Sequence, residues 1–219
     1  WLSSQPPGVW VRTAAMSAIA AQHLARPDSA SIAFIGCGTQ ARSHLAALAD
    51  VLPGLSRVTA YSRRFETAEA FAADARHARF EAKAVDDPRG AIEGAVVVVS
   101  SVSIGGLVQP FVDAAWLAPG AFVAAVDLAR AWHPAGFHHF DVVATDERQQ
   151  SQQLIEKGRM PFAWTFDADF SDFAQSQASF RGSPSQRTLF VFAGHALADL
   201  AVAGFVYDHA RKRDADGSP

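Results

Sequence analysis

Apolar and polar positions follow two rhythms along this chain. Short apolar runs recur at SIAFI (31–35), RVTAY (57–61), FEAKAV (80–85), AVVVVSS (95–101), AFVAAVD (121–127) and DVVAT (141–145). They are too short for helices and are bounded by glycine or turn residues, which predicts strands. VVVV is uninterrupted and β-branched, as expected of a central parallel strand covered on both faces. Between the runs, apolar residues fall at helical spacing in VRTAAMSAIAAQHLA (11–25), TQARSHLAALADVL (39–52) and FETAEAFAADAR (65–76), with a shorter helix around DDPRGAIEG (86–94). Strand and helix alternate, so the expected class is α/β with a doubly wound, Rossmann-type parallel sheet. From about Asp146 the alternation stops. ERQQSQQLIEKG reads as a polar helix, and a Phe-rich irregular stretch runs to Pro184. Leu189 to Arg213 reads either as one long amphipathic helix or as strand, turn and helix.

The first strand runs directly into Gly36-x-Gly38-x-x-Ala41, and a helix follows at once. In such a loop the first glycine permits a tight turn, the second lets backbone approach a pyrophosphate, and the small third residue allows close helix–strand packing. The helix N-terminus supplies the positive end for phosphate. This spacing in this context predicts a dinucleotide cradle built from Gly36, Gly38, Thr39, Gln40 and Ala41. The second strand ends in Ser62-Arg63-Arg64, with no acid before Glu66. A carboxylate there would favour the free ribose hydroxyls of NAD, whereas two guanidiniums suit a 2′-phosphate, so NADP is expected and NAD is the alternative.

Composition narrows the remaining options. A net charge of −3 gives no basic excess for nucleic acid or an anionic membrane surface. No apolar run approaches the ~20 residues needed to span a bilayer. The single cysteine, Cys37, cannot form an intrachain disulfide, which fits a cytoplasmic setting; it is expected to point into packing. The chain begins at Trp1, and WLSSQPPGVW lacks the basic segment of a signal peptide, so it reads as an internal start. His138 and His139 have no partner at ligand spacing, and no metal site is expected. No arrangement of nucleophile and base suggests a hydrolase.

RTAAMSAIAAQHLA followed by IGCGTQARSHL resembles the ornithine cyclodeaminase/mu-crystallin family, in which an RTAA helix leads into a GxGxQA loop. YSRRFETAEAFA, AWLAPG, TDER and SPSQRTLFVFAGHALADLAVAGFVYDHAR are similar to further family segments in the same order. The resemblance implies a Rossmann domain plus a dimerisation and substrate domain. Residues 1–28 would form a helix linking to that second domain, 29–160 the NAD(P)-binding domain, and 161–219 an irregular segment and a helix returning to the dimerisation layer. It implies hydride transfer at the α-carbon of a small amino acid or cyclic imino acid. Cofactor binding without turnover, as in mu-crystallin, and one subunit of a divided enzyme are the alternatives. A homodimer, or a complex with an N-terminal segment, is implied by the family and by the apolar residues Leu197, Leu200, Ala201, Phe205 and Val206.

The resemblance also assigns residues. Arg12 falls at the family's carboxylate-binding arginine, and Thr13 beside it would touch cofactor phosphate. Ser101, at the end of the fourth strand, and Gly194 fall where the family contacts cofactor. His195, next to Gly194, would bond substrate or cofactor or act as a structural donor. The family's proton-handling aspartate aligns with Ala129. Asp127 lies two residues earlier, on the same face of an extended strand, and is the catalytic candidate together with Arg12; a backbone-positioning aspartate is the other reading of it.

Overall fold

The computed structural model describes residues 7–103, 109–160, 162–176, 179–194, 199–201, 203–204, 207 and 211. Helix α1 (Pro7–Leu24) leads to strand β1 (Ser31–Ile35), α2 (Thr39–Val51), β2 (Arg57–Tyr61), α3 (Phe65–His77), β3 (Glu81–Val85), α4 (Pro88–Ile92) and β4 (Val97–Ser100). Then come β5 (Phe122–Ala125), β6 (Val142–Thr145), α5 (Arg148–Glu156), α6 (Phe170–Gln175) and β7 (Thr188–Val191). Short 3-10 helices at Ala114–Trp116 and Pro134–His139 lead into β5 and β6. The seven strands form one sheet in the order β3-β2-β1-β4-β5-β7-β6. Every pairing is parallel.

The uninterrupted apolar runs follow from this arrangement. Ile32, Phe34, Val97, Val99, Phe122, Ala124 and Phe190 face the layer carrying α1, α2 and α3. Ala33, Ile35, Val98, Val123, Ala125, Leu189 and Val191 face the opposite layer, with α4 and Trp132. Both faces are buried, so neither set of alternate positions can be polar. The Phe-rich stretch is packing, since Phe162, Phe166 and Phe173 are all buried.

Two features depart from the sequence expectation. Thr188–Val191 is a fully buried strand between β5 and β6. Of the two readings of the segment from Leu189, strand and turn is therefore the one seen at its start, and a segment expected to lie outside the sheet supplies a strand to it. The stretch expected to be irregular also holds α6, which opens with a capping box: the Asp169 side chain accepts from backbone at Asp172, and the Asp172 carboxylate from the Asp169 N–H.

Helix α1 is fastened at two points along its buried face, at mid-helix and at its C-terminus. Ser17 Oγ lies 3.0 Å from His44 Nε2 on α2, and His44 Nδ1 lies 2.8 Å from the Gln40 carbonyl. Burial drives the His44 pKa down to about 4, so the ring is neutral. At the C-terminus, the Leu24 carbonyl accepts from Arg181 Nε, Arg181 Nη2 and Thr188 Oγ1 at 3.1, 2.7 and 2.8 Å. A guanidinium thus satisfies a carbonyl that the helix C-terminus leaves without an intrahelical partner. No helix among the described residues is long and apolar enough to cross a membrane.

Candidate functional site

Strand order reverses between β1 and β4, whose last residues Ile35 and Ser100 are register partners. In parallel sheets that reversal leaves a crevice beyond the strand C-termini. A cleft of about 890 Å³ occupies it, bordered by the loops after β1, β2 and β4.

Gly36 is required twice over. Its φ is +94°, and a Cβ there would stand 2.8 Å from the Ser101 carbonyl oxygen. The close approach is stitched by hydrogen bonds. Gly36 N–H donates to the Tyr61 carbonyl at 2.8 Å, Ser101 N–H to that of Ile35 at 2.8 Å, and Ser101 Oγ to that of Gly36 at 3.0 Å. Cys37 points inward, its Sγ 3.2 Å from the Tyr61 carbonyl, and burial pushes its thiol up to about 12.

Gly38 has the opposite character. It is the N-cap of α2 with φ −81°, and a Cβ would meet no atom of the described residues within 4 Å. Among the described residues nothing demands glycine there. Among the described residues no side chain caps α2, and its first amides lie at the cleft with the positive end of a 13-residue helix. Thr39 and Gln40 line the cleft, and Gln40 Oε1 is buried without a hydrogen-bond partner among the described residues. Ala41 is buried against the sheet, the helix–strand packing role expected of it.

Ser62, Arg63 and Arg64 lie on the cleft wall with Thr67. Both arginines are exposed, and neither pairs with a carboxylate among the described residues. Ser101 completes the set of expected residues that share the cleft. Trp10, Tyr61, Val102, Ser103, Gln109 and Phe111 line it as well and were not anticipated. A glycine loop, the amide end of α2 and two exposed arginines on one cleft are groups that fit a dinucleotide.

The structure does not bring Asp127 to this cleft. The extended-strand spacing that put it on the cleft face fails, because β5 ends at Ala125 and the chain then turns, with Leu128 and Ala129 at φ +57° and +56°. Asp127 is fully buried, and its Oδ1 accepts from Ser100 Oγ at 3.0 Å. Trp132 Nε1 donates to the same hydroxyl at 3.0 Å, while Asp127 Oδ2 has no hydrogen-bond partner among the described residues. Burial pushes this carboxyl up to about 6, opposed by the Ser100 hydrogen bond and nearby backbone amides. Ala129 is buried too.

Arg12 and Gly194 lie together but off the cleft wall. The Arg12 guanidinium sits 5.6 Å above the Phe192 ring, with Nη1 2.8 Å from Asp199 Oδ2. Its Nε is buried and has no hydrogen-bond partner among the described residues. Gly194, at φ +95°, belongs to a clamped turn. The buried Asp146 carboxylate accepts from Ala193 N–H at 3.0 Å and Gly194 N–H at 2.7 Å, and Gln150 Nε2 donates to the Gly194 carbonyl at 2.6 Å. Burial raises the Asp146 carboxyl above its usual range. Thr13 is buried within α1 and does not line the cleft. His195, Leu197, Phe205 and Val206 lie outside the described residues.

The geometry can be set beside known proteins. An uncharacterized cyclodeaminase of Sinorhizobium fredii is 32% identical over 216 residues, covering 94% of this chain and 64% of that protein. The Δ1-pyrroline-2-carboxylate reductase of Paracoccus denitrificans is 30% identical over 208 residues, covering 89% of this chain and again 64% of the relative. An archaeal alanine dehydrogenase, solved as a dimer with bound NAD, superposes with a TM-score of 0.80 at 27% identity, over 93% of this chain and 64% of that one. The chain thus spans a little under two thirds of the length of these relatives. The profile of the ornithine cyclodeaminase/mu-crystallin family matches residues 9–214, and the chain belongs to that family.

Proposed function

We propose that this chain is the NAD(P)-binding part of an oxidoreductase that transfers hydride at the α-carbon of a small amino acid or cyclic imino acid. The observation that carries the reading is the loop at Gly36, whose positive φ and contact with Ser101 are specific to glycine, opening onto the unobstructed Gly38. Gly38, Thr39 and Gln40 would receive the pyrophosphate, and Arg63 and Arg64 a 2′-phosphate, which favours NADP over NAD. A bound nicotinamide would supply or accept the hydride. Ser101, Ser103, Gln109 and Phe111 would form the wall on the β4 side, and Arg12 would hold the substrate carboxylate, with Phe192 fixing the guanidinium plane. The exposed apolar side chains of Val11, Ile19, Leu200 and Tyr207 support a homodimer.

A second reading is cofactor binding without turnover by this chain. It is favoured by the cleft's composition, since no carboxylate or imidazole lines it among the described residues and Asp127 is enclosed. The two are separated by following NADPH oxidation with Δ1-pyrroline-2-carboxylate, the substrate named for the Paracoccus relative. Substrate-dependent oxidation supports the enzyme. Tight NADPH binding with no oxidation supports the second reading.

A further inference from the structure

Arg12 and Asp199 make the only ion pair found at the α1 end of the site among the described residues, and the two partners are unequally held. The arginine side chain is only 12% exposed and rests on Phe192, which leads into a turn pinned by Asp146 and Gln150. The aspartate side chain is 57% exposed. One contact joins them, Nη1 to Oδ2 at 2.8 Å, and Nε has no hydrogen-bond partner among the described residues. A guanidinium offers five N–H donors in a planar fork, and a carboxylate that takes two of them in parallel binds better than one that takes one.

We propose that Asp199 is an internal stand-in for the substrate carboxylate, occupying Arg12 until substrate displaces it and so setting substrate affinity by competition. The inference rests on the reading of Arg12 as the carboxylate ligand and adds the residue that opposes it. Displacement is a plain exchange of one carboxylate for another at the same cation, with no bond made or broken. The exposed aspartate returns to water, where its charge is well solvated, so its release costs little. The alternative role for Asp199 is support, in which it orients Arg12 and aids binding.

The sign of one substitution separates these roles. L-Proline, the reduced product of Δ1-pyrroline-2-carboxylate, is titrated calorimetrically into the NADPH-saturated protein, wild type beside Asp199→Asn and Arg12→Lys. Competition predicts that Asp199→Asn binds L-proline about two- to fivefold more tightly, the range expected from losing an exposed pair. Arg12→Lys should bind it at least about tenfold more weakly, because a point charge replaces the fork. NADPH affinity and melting temperature should be unchanged in Asp199→Asn, since the residue is exposed and lies off the cleft. Weaker or unaltered L-proline binding in Asp199→Asn, alongside loss in Arg12→Lys, overturns the competition and leaves the Arg12 reading standing. If Arg12→Lys matches wild type, the Arg12 reading falls, and the competition with it.

Discussion

Gly36 and Gly38 stand two residues apart in the same loop, and the structure gives them different reasons to be glycine. Replacing each with alanine should therefore damage different properties. At Gly36 the new Cβ would stand 2.8 Å from the Ser101 oxygen and 3.0 Å from its carbon, at a φ of +94°. Both opposing atoms are backbone, so relief requires the end of β4 to move. Left-handed conformation costs a non-glycine residue about 1–2 kcal/mol, and the backbone overlap adds about as much again. A loss of about 2–4 kcal/mol lowers the melting temperature of a domain this size by roughly 5–15 °C. At Gly38 the Cβ meets nothing within 4 Å among the described residues, and φ of −81° suits any residue. The only stability cost is a poorer N-cap, about 0.5–1 kcal/mol. The methyl instead occupies the space through which a pyrophosphate would reach the first amides of α2, and NADPH affinity should fall about tenfold or more. Urea denaturation and NADPH titration of both variants read the two effects separately. The reasoning is refuted if Gly36→Ala is as stable as wild type, or if Gly38→Ala binds NADPH undiminished.

Two further outcomes follow from charges in and near the cleft. Arg63→Ala and Arg64→Ala should each weaken NADPH binding about tenfold while sparing NADH, as measured by fluorescence titration, because only the former carries a phosphate for these guanidiniums. His44 is neutral in the fold with its pKa lowered from 6.5 to about 4. Below pH 6.5 the unfolded chain takes up a proton that the folded chain refuses. This contribution to stability is therefore complete above pH 6.5 and is lost as pH falls towards 4, by about 3 kcal/mol in all. Denaturation midpoints across that window should fall more steeply for wild type than for His44→Gln.

Much of the cleft could be read from the chain because its chemistry is local. The loop from Ile35 to Ala41 declares itself by spacing, and Ser62, Arg63 and Arg64 by following a strand. Trp10, Gln109 and Phe111 could not be found that way, because only the three-dimensional fold brings α1 and the connection after β4 to the same crevice. Asp127 was misplaced for a sharper reason. Period-two reasoning holds only while a strand continues, and β5 stops at Ala125, two residues before Asp127, with Leu128 and Ala129 left-handed in the turn that follows. Strand β7 was ambiguous because TLFVF runs without a break into another apolar segment, so no polar residue marks where one period gives way to the next. The family's loop is recognisable in this chain even where its aspartate is not, and that contrast is why binding is better supported than turnover.

The most direct test of the account is calorimetric titration of the folded chain, verified by a cooperative melt, with NADPH and separately with NADH. The account predicts one NADPH per chain, bound more tightly than NADH. A folded chain that binds neither would contradict it, leaving Gly36 and Gly38 as an ordinary turn between a strand and a helix.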